Sequence, residues 1–220
     1  MTQFERMIRS LPYKCDKECK EFMNENKRKL YEYNNLPFER LSEQQNLLKN
    51  ILGKTGEGIY IEQPFHCDYG KNIEVGNHFY ANYNLIILDV APVKIGDNVM
   101  CAPNVGIYTA GHPIHPAARA TLWEYGIEIT IGDNVWIGAN ACILPSVHIG
   151  SNTVIGAGSV VTKDIPEWTV AAGNPCKPIR AITDEDKKYY FQKREFDFDI
   201  FNPQNNVADA LFNSTEIPKV

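Results

Sequence analysis

The sequence predicts a mainly β protein, a parallel β-helix with an N-terminal α-helical cap and a short C-terminal helix and tail. Three observations lead to this fold class. A six-residue rhythm runs from Ile131 to Pro166, the first 52 residues contain no glycine, and residues 111–128 form the long break in the rhythm.

The six-residue rhythm indicates the coil. Six consecutive blocks of six residues each open with Ile or Val, at Ile131, Ile137, Ile143, Ile149, Ile155 and Val161, and Gly follows four of these openings. A period of six is neither the 3.6 of a helix nor the 2 of an isolated strand, but is typical of a coil whose flat sides are single short strands. Stacked turns would fill the interior with β-branched side chains. We expect the glycines at corners, where a Cβ would crowd the bend.

Residues 1–55 are predicted to be a helical cap over the open edge of the coil. Asp16 is a candidate N-cap for a helix that runs to about Tyr31 and is broken at residues 34–37. Residues 42–45 have the S-x-x-Q form of a capping box for a second helix, which Gly53 would end.

The coil is predicted to span residues 56–182, less regular at first and clear again from Ile95. Residues 111–128, with two prolines and two histidines, are too long for a corner. Such an insertion in a rigid repeat is where function is usually found, so we expect the active-site loop there. Residues 183–220 would hold a short charged helix from Thr183 to Arg194 and, from residue 195, a weakly ordered polar tail.

Composition excludes several classes of protein. The formal net charge of −5 argues against a nucleic-acid binder. No apolar stretch is long enough to span a membrane, and the first residues lack the apolar core of a signal peptide. We therefore expect a cytoplasmic protein with reduced cysteines and with neither a nucleic-acid nor a membrane partner.

His112 is the candidate catalytic residue, because it lies at the mouth of the loop between Gly and Pro. An imidazole with a pKa near 6.5 can accept a proton at neutral pH, although a histidine at such a position is more often an ordinary surface residue. Glu124 lies in the same loop and could orient the ring or stabilise the imidazolium. His115 completes an H-x-x-H pair, but no third ligand stands at a suitable hexad offset, so we expect no metal.

Basic residues near the C-terminal end of the coil are candidates for holding the phosphates of a ligand. They are Lys163, Lys177 and Arg180. A surface so sparsely basic could also be merely solvated.

Several ordered motifs resemble the maltose/galactoside O-acetyltransferase family of hexapeptide-repeat enzymes. They are FHCDYGKNIEVGNHFYANYN, LDVAPVKIGDNV, TAGHPIHPAAR, EYG, VIGAGSVVTKDIP and AGNPCKPIR. The resemblance implies a left-handed coil and a homotrimer with active sites between subunits. It also implies acetyl-CoA as co-substrate and a small-molecule acceptor.

The same resemblance implies roles for individual residues. His112 matches the general base, which would deprotonate the acceptor hydroxyl for direct attack on the thioester without an acyl-enzyme. The implied catalytic residues are His112, Glu124 and Asn82. The implied acceptor-binding residues are Asp16, Asp68, Asn82 and Asp89. The implied donor-binding residues are Ala139, Ala157, Thr162, Lys163, Lys177 and Arg180.

The sequence therefore predicts an acetyl-CoA-dependent sugar O-acetyltransferase. CDYG and EYG resemble maltose-type members, whereas DEDKKYYF resembles galactoside-type members, so the acceptor stays open. The alternatives are an acetyltransferase of a non-sugar hydroxyl, a non-catalytic coil used as a binding or scaffold module, and a metal enzyme of the γ-carbonic-anhydrase kind.

Overall fold

The structure is a computed structural model that describes residues 1–202. Its α-helices are α1 (Gln3–Ile8), α2 (Lys17–Asn35), α3 (Leu41–Ile51) and α4 (Pro116–Arg119), and a 3-10 helix spans Asp184–Lys188. Within the described residues, none of the helices combines the length and the hydropathy that a membrane span requires.

The strands are mostly two to four residues long. In chain order they are β1 (Lys54–Thr55), β2 (Tyr60–Ile61), β3 (Phe65–Cys67), β4 (Ile73–Val75), β5 (Tyr80–Ala81), β6 (Leu85–Leu88), β7 (Val93–Ile95), β8 (Met100–Cys101), β9 (Gly106–Tyr108), β10 (Ala110–Gly111), β11 (Tyr125–Gly126), β12 (Ile129–Ile131), β13 (Trp136–Ile137), β14 (Cys142–Ile143), β15 (His148–Ile149), β16 (Val154–Ile155), β17 (Val160–Val161), β18 (Thr169–Ala172), β19 (Lys177–Ala181), β20 (Tyr189–Phe191) and β21 (Arg194–Glu195).

Three parallel sheets form the faces of the coil. Face one consists of β1, β4, β7, β12 and β15; face two of β2, β5, β8, β13, β16 and β18; and face three of β3, β6, β9, β14 and β17. Each strand pairs in parallel with the strand one turn away, so Ile137 pairs with both Cys101 and Ile155. The predicted parallel β-helix is therefore confirmed.

The interior is filled by the residues that open the blocks. The side chains of Ile131, Ile137, Ile143, Ile149 and Ile155 are at most 3% exposed. Burying each aliphatic side chain is worth about 1.5–3 kcal/mol. The stack of Ile and Val therefore holds the corners of the coil at fixed spacing.

The corners use two residue types for two reasons. A Cβ on Gly138 would lie 2.5 Å from the backbone nitrogen of Ala157, so glycine is required by the adjacent turn. The bend itself falls on asparagines such as Asn134, whose φ is +56°, a region that Asn tolerates better than most residues. Asn134 donates to Asn152 Oδ1 (2.9 Å) and accepts from Asn98 Nδ2 (3.2 Å). The expectation that glycine stands where a Cβ would crowd the corner is therefore confirmed at Gly138, while the positive φ of the bend falls on asparagine.

Helices α2 and α3 lie over the first turn of the coil. Side chains of α2 make hydrogen bonds to backbone groups at the open edge of this turn. The hydroxyl of Tyr33 donates to the carbonyl of Ile61. The amide of Asn34 exchanges two hydrogen bonds with the backbone of Phe65, at 2.8 and 2.9 Å. Such pairing is what an exposed strand edge lacks.

The start of α2 follows the prediction, but its end and the start of α3 differ. Asp16 caps α2 by accepting from the Cys19 nitrogen (3.0 Å), and the helix continues beyond Tyr31 to Asn35. The predicted capping box at Ser42 is wrong. Arg40 is the N-cap of α3 and makes no side-chain cap bond, so Ser42 already lies inside the helix, where it cannot adopt the extended backbone of a cap.

The predicted helix from Thr183 to Arg194 is also largely wrong. Only the 3-10 helix forms, and β20 and β21 then make an antiparallel hairpin. Consecutive aromatic residues in β20 favour extended backbone, which explains the difference. The predicted tail lies outside the described residues from 203 onward.

Candidate active site

The loop of residues 111–128 leaves the coil after β9 as a hairpin. Its strands β10 and β11 pair antiparallel, with Ala110 opposite Gly126 and Gly111 opposite Tyr125. The paired register ends there, and His112 and Glu124 are the next residues on the two sides of the hairpin, with Glu124 pairing to Tyr13 of the cap. The His112 side chain is exposed.

Glu124 is held from its other side by the N-terminal cap. The backbones of Glu124 and Tyr13 exchange two hydrogen bonds, at 2.9 and 3.0 Å. The Tyr13 hydroxyl donates to Glu124 Oε2 at 3.0 Å. Glu124 thus lies between the cap segment and the strand that leads to His112.

Asp68 lies after β3, near this hairpin. Burial raises the pKa of Asp68, and the nearby charge of Glu124 raises it further against the opposing effect of Lys27. The backbone carbonyl of Asp68 accepts from Asn26 Nδ2 of α2 (3.2 Å). Asp68 is therefore a half-buried carboxyl group that shares its surroundings with Glu124.

Asp16 and Cys15 come from the cap beside Glu124. Burial raises the pKa of the Cys15 thiol, and the charges of Glu124 and Asp16 add to that effect. One carboxylate oxygen of Asp16 is engaged as the N-cap of α2. The charge of Glu124 acts on both Asp68 and Cys15, and Asp16 follows Cys15 in the chain, so the cap and the loop carry these predicted site carboxylates in one region.

Asp89 is placed differently from the expectation of a residue that contacts the acceptor. Its side chain is 0% exposed, and Oδ1 accepts from the backbone nitrogens of Asp68 and Tyr69, both at 2.9 Å. Burial raises the pKa of Asp89 to about 7, against the lowering effect of the hydrogen bond from Tyr69. Asp89 fixes the turn that carries Asp68 rather than facing solvent.

A second group of predicted residues lies on another corner. The face-two corner comprises residues 82–84, 102–104, 138–140 and 156–158. It carries Asn82 and, two turns further along, Ala139 and Ala157 in successive turns. The Gly158 nitrogen donates to the Ala139 carbonyl (2.8 Å), and Asn82 Nδ2 donates to the Tyr80 hydroxyl (3.1 Å). This corner offers mainly backbone groups and small side chains.

The hairpin, Asp68, Asp89, Thr162 and the basic residue Lys163 belong to the face-three corner. That corner comprises residues 68–72, 89–92, 109–128, 144–146 and 162–164. Face three separates it from the face-two corner by three or four residues of strand, roughly 10–13 Å. One chain therefore does not bring Asn82 to His112.

The other two basic candidates, Lys177 and Arg180, lie on β19. Lys163 and Lys177 are exposed, and no ion pair reaches either of them within residues 1–202. Arg180 differs, because its guanidinium makes two hydrogen bonds of 2.8 Å to Asp186. The pKa of Asp186 is lowered mainly by this contact.

In the H-x-x-H pair, His115 has a structural role. Its Nδ1 accepts from the Ala117 nitrogen (3.2 Å) and caps α4. No group of three His, Cys, Asp or Glu side chains in the described part of the chain is arranged to hold a metal ion.

Sequence reasoning missed Tyr13 and Trp123. Tyr13 is 1% exposed and contacts a residue 111 positions away, which no local pattern signals. The Trp123 ring lies beneath the guanidinium of Arg6 and the ammonium of Lys14, at 5.8 and 5.2 Å from the ring centroid. The sequence did offer one signal, because the aromatic residue Trp123 directly precedes the candidate site residue Glu124.

Two family profiles match the chain. One, described as bacterial transferase hexapeptide (six repeats), matches residues 128–163. The other, described as maltose acetyltransferase hexapeptide capping motif, matches residues 6–56.

Relatives match across most of the chain. A putative acetyltransferase of Saccharomyces cerevisiae is 54% identical over 171 residues, which are 78% of this chain and 87% of the relative. The galactoside O-acetyltransferase of Escherichia coli is 49% identical over 163 residues, which are 74% of this chain and 80% of the relative.

Solved structures share the fold over nearly their whole length. A maltose O-acetyltransferase from Clostridium difficile has a TM-score of 0.83 and 47% identity, and the match covers 84% of this chain and 99% of the other. A galactoside acetyltransferase in complex with coenzyme A has a TM-score of 0.87 and 43% identity, and the match covers 90% of this chain and 100% of the other. The chain therefore belongs to the maltose/galactoside O-acetyltransferase family of hexapeptide-repeat proteins.

Proposed function

We propose that the protein is an acetyl-CoA-dependent O-acetyltransferase that acetylates a hydroxyl group of a sugar. The observation that supports the proposal is the hairpin at residues 111–128, in which His112 and Glu124 flank the Gly111–Tyr125 pair and the half-buried Asp68 lies near Glu124. Relatives named as galactoside O-acetyltransferases and a structural neighbour in complex with coenzyme A support the donor and the acceptor class.

His112 is the general base in this proposal. Its imidazole nitrogen takes the proton of the acceptor hydroxyl as the hydroxyl oxygen attacks the thioester carbonyl carbon. The carbon–sulfur bond then breaks, and the leaving CoA thiolate takes the proton from the imidazolium. The ester oxygen of the product is thus the acceptor's own oxygen, and no acyl-enzyme forms.

The carboxylates supply the acceptor subsite. Asp16, Asp68 and Glu124 are hydrogen-bond acceptors, which suits a ligand rich in hydroxyl donors. Glu124 also stabilises the imidazolium in this proposal, since it and His112 flank the Gly111–Tyr125 pair of the hairpin. Asp89 acts through the turn at Asp68 and Tyr69.

A homotrimer is the assembly that completes this site. Asn82, Ala139 and Ala157 lie on the face-two corner, whereas His112 lies on the face-three corner. Two copies packed corner to corner would unite these groups, and three copies would close the ring. In that assembly the backbone near Ala139 and Ala157 contacts the pantetheine arm, and Thr162, Lys163, Lys177 and Arg180 hold the nucleotide end. A light-scattering mass of a monomer would contradict this arrangement.

The cytoplasmic location inferred from the sequence remains a prediction.

His112→Ala tests the catalytic proposal. Acetyl-CoA is mixed with the protein and a panel of maltose, galactosides and other hydroxyl compounds, and the release of free thiol is followed. Because a general base typically contributes about 10²–10⁴-fold, we expect kcat to fall by that factor. His115→Ala is the matched control, since His115 lies in the same loop but only caps α4, and it should retain activity.

Unchanged turnover in His112→Ala would remove the mechanism. If the wild-type protein released no thiol with any compound of the panel, the result would favour a non-catalytic coil.

A further inference from the structure

The cap and the loop of residues 111–128 meet at one buried contact. Tyr13 and Glu124 pair as an isolated antiparallel bridge, and the Tyr13 hydroxyl donates to Glu124 Oε2 at 3.0 Å. Tyr13 itself packs in a second core cluster with Met7, Tyr69 and Val90. Its phenol is therefore fixed in position, and it restrains a side chain that would otherwise choose among several rotamers.

The residue next to Glu124 is held by the same part of the cap. Arg6 and Lys14 lie on the Trp123 ring, at 5.8 and 5.2 Å from its centroid. Arg6 is in turn fixed by a 2.7 Å hydrogen bond from its Nε to the Pro12 carbonyl. The loop strand at Trp123 and Glu124 is thus docked on the segment of residues 6–14 by backbone, hydroxyl and cationic contacts.

The hydroxyl of Tyr13 leaves half of the carboxylate available. Oε2 of Glu124 is occupied by Tyr13, while no hydrogen bond reaches Oε1 from any residue between 1 and 202. Burial, together with the charge of Glu124, raises the pKa of the Tyr13 phenol, so the phenol remains an O–H donor at any working pH. The contact therefore orients one carboxylate oxygen and leaves the other to a ligand hydroxyl.

We propose that Tyr13 is a positioning residue for the acceptor, which holds Glu124 so that its second carboxylate oxygen accepts a hydroxyl of the sugar beside His112. This inference rests on the proposed function and deepens it. It assigns a role in acceptor binding to a residue of the cap that does not touch the ligand. It also explains why the cap is attached to the loop as well as to the open edge of the coil.

Tyr13→Phe tests the inference because it keeps the buried ring and removes the hydroxyl. The full chain is assayed with the glycoside that gives the fastest thiol release in the panel. We expect the KM for the glycoside to rise about tenfold, as for the loss of a hydrogen bond to a charged group, and the KM for acetyl-CoA to stay unchanged. In a Glu124→Gln background, Tyr13→Phe should add less than about twofold, because the two residues act as one unit.

Tyr33→Phe is the matched control. Tyr33 is another buried tyrosine of the cap, 0% exposed, and its hydroxyl donates to the Ile61 carbonyl away from the loop. It should lower the melting temperature without changing the KM for the glycoside. A purely structural role of Tyr13 would give the two variants the same kinetic behaviour.

The outcomes separate the two proposals. A wild-type chain that releases no thiol overturns the proposed function and this inference with it. An active wild type with an unchanged glycoside KM in Tyr13→Phe, or effects that add fully in the Glu124→Gln background, overturns this inference alone. Should circular dichroism show that Tyr13→Phe does not fold, Glu124→Ala carries the test, and an unchanged glycoside KM there also overturns it.

Discussion

The face-two corner and the face-three corner are built from the same coil but differ in almost every local feature. On the face-two corner each turn adds the same short bend, with Gly138 and Gly156 in equivalent positions and backbone groups paired from turn to turn. On the face-three corner the chain leaves the coil for a hairpin, a buried carboxylate fixes a turn, and the cap docks from outside.

The difference separates two kinds of recognition. A regular corner offers mainly backbone groups and small side chains, which would suit an extended ligand common to a whole family. An irregular corner can offer several ionisable side chains at one place, which suits discrimination among acceptors. Loops on a rigid scaffold commonly carry function for the same reason.

The largest expected effect comes from the interior that both corners share. Ile137→Asp places an unpaired carboxylate among fully buried aliphatic side chains, where ionisation is strongly disfavoured. We expect loss of cooperative unfolding by circular dichroism and no soluble folded protein. Trp136→Asp, which changes the neighbouring side chain that is 50% exposed on the same strand, should fold.

A stable Ile137→Asp variant would break the comparison, because the spacing of the two corners would then not depend on the interior.

The next effect is specific to the face-three corner and depends on pH. The pKa of Asp89 is raised to about 7, so the folded state binds this proton more tightly than the unfolded chain, whose pKa is near 3.9. Its contribution to stability is therefore present at acidic pH and is lost as pH rises from about 4 to about 7. The slope is at most about 1.4 kcal/mol per pH unit.

Asp89→Asn should remove this contribution, and urea titrations between pH 4 and pH 8 measure it. The charged and polar groups near Asp89 are Asp68, the Cys67 thiol and the backbone nitrogens of residues 68 and 69. The free energy of unfolding of the variant minus that of the wild type should increase across this window and then level off. A difference that stays constant with pH would mean that Asp89 titrates near its ordinary value.

The smallest expected effect on stability tests why the face-two corner requires glycine. In Gly138→Ala the new Cβ would lie 2.5 Å from the Ala157 nitrogen, and we expect a loss of about 3 kcal/mol in the free energy of unfolding. Gly158→Ala is the control, because no atom lies within 4 Å of its Cβ and only its φ of +69° opposes the change, for about 1 kcal/mol. Equal losses would mean that contact between turns is not what requires glycine at Gly138.

The coil could be predicted from the sequence because its period is local. Each block of six residues repeats the same pattern of apolar and polar positions, and Ile137 and Ile143 are buried as this pattern predicts. That Glu124 and His112 belong to one hairpin was predictable for the same reason, since both lie in one loop. Local signals were weaker at helix ends, where a two-residue shift of the N-cap of α3, from Ser42 to Arg40, removed the capping role of Ser42.

The rest of the site depends on contacts between distant segments. Tyr13 meets Glu124 across 111 residues, and the burial of Asp89 depends on the turn at Tyr69, 20 residues earlier. No period or spacing reports such contacts. The separation of Asn82 from His112 could not be predicted either. Similarity to a family identifies which residues form a site, but it does not say on which corner of the coil each residue lies.

The pairing of Arg180 with Asp186 bears on the proposed role of Arg180 in holding the donor. The arginine is already neutralised by a carboxylate at 2.8 Å, so a phosphate that binds it must first displace that carboxylate. Binding of the donor phosphate to Arg180 would then exchange one anion for another. The binding free energy gained would be only the difference between the phosphate contact and the carboxylate contact. Long-range attraction of an incoming nucleotide would fall instead to Lys163 and Lys177.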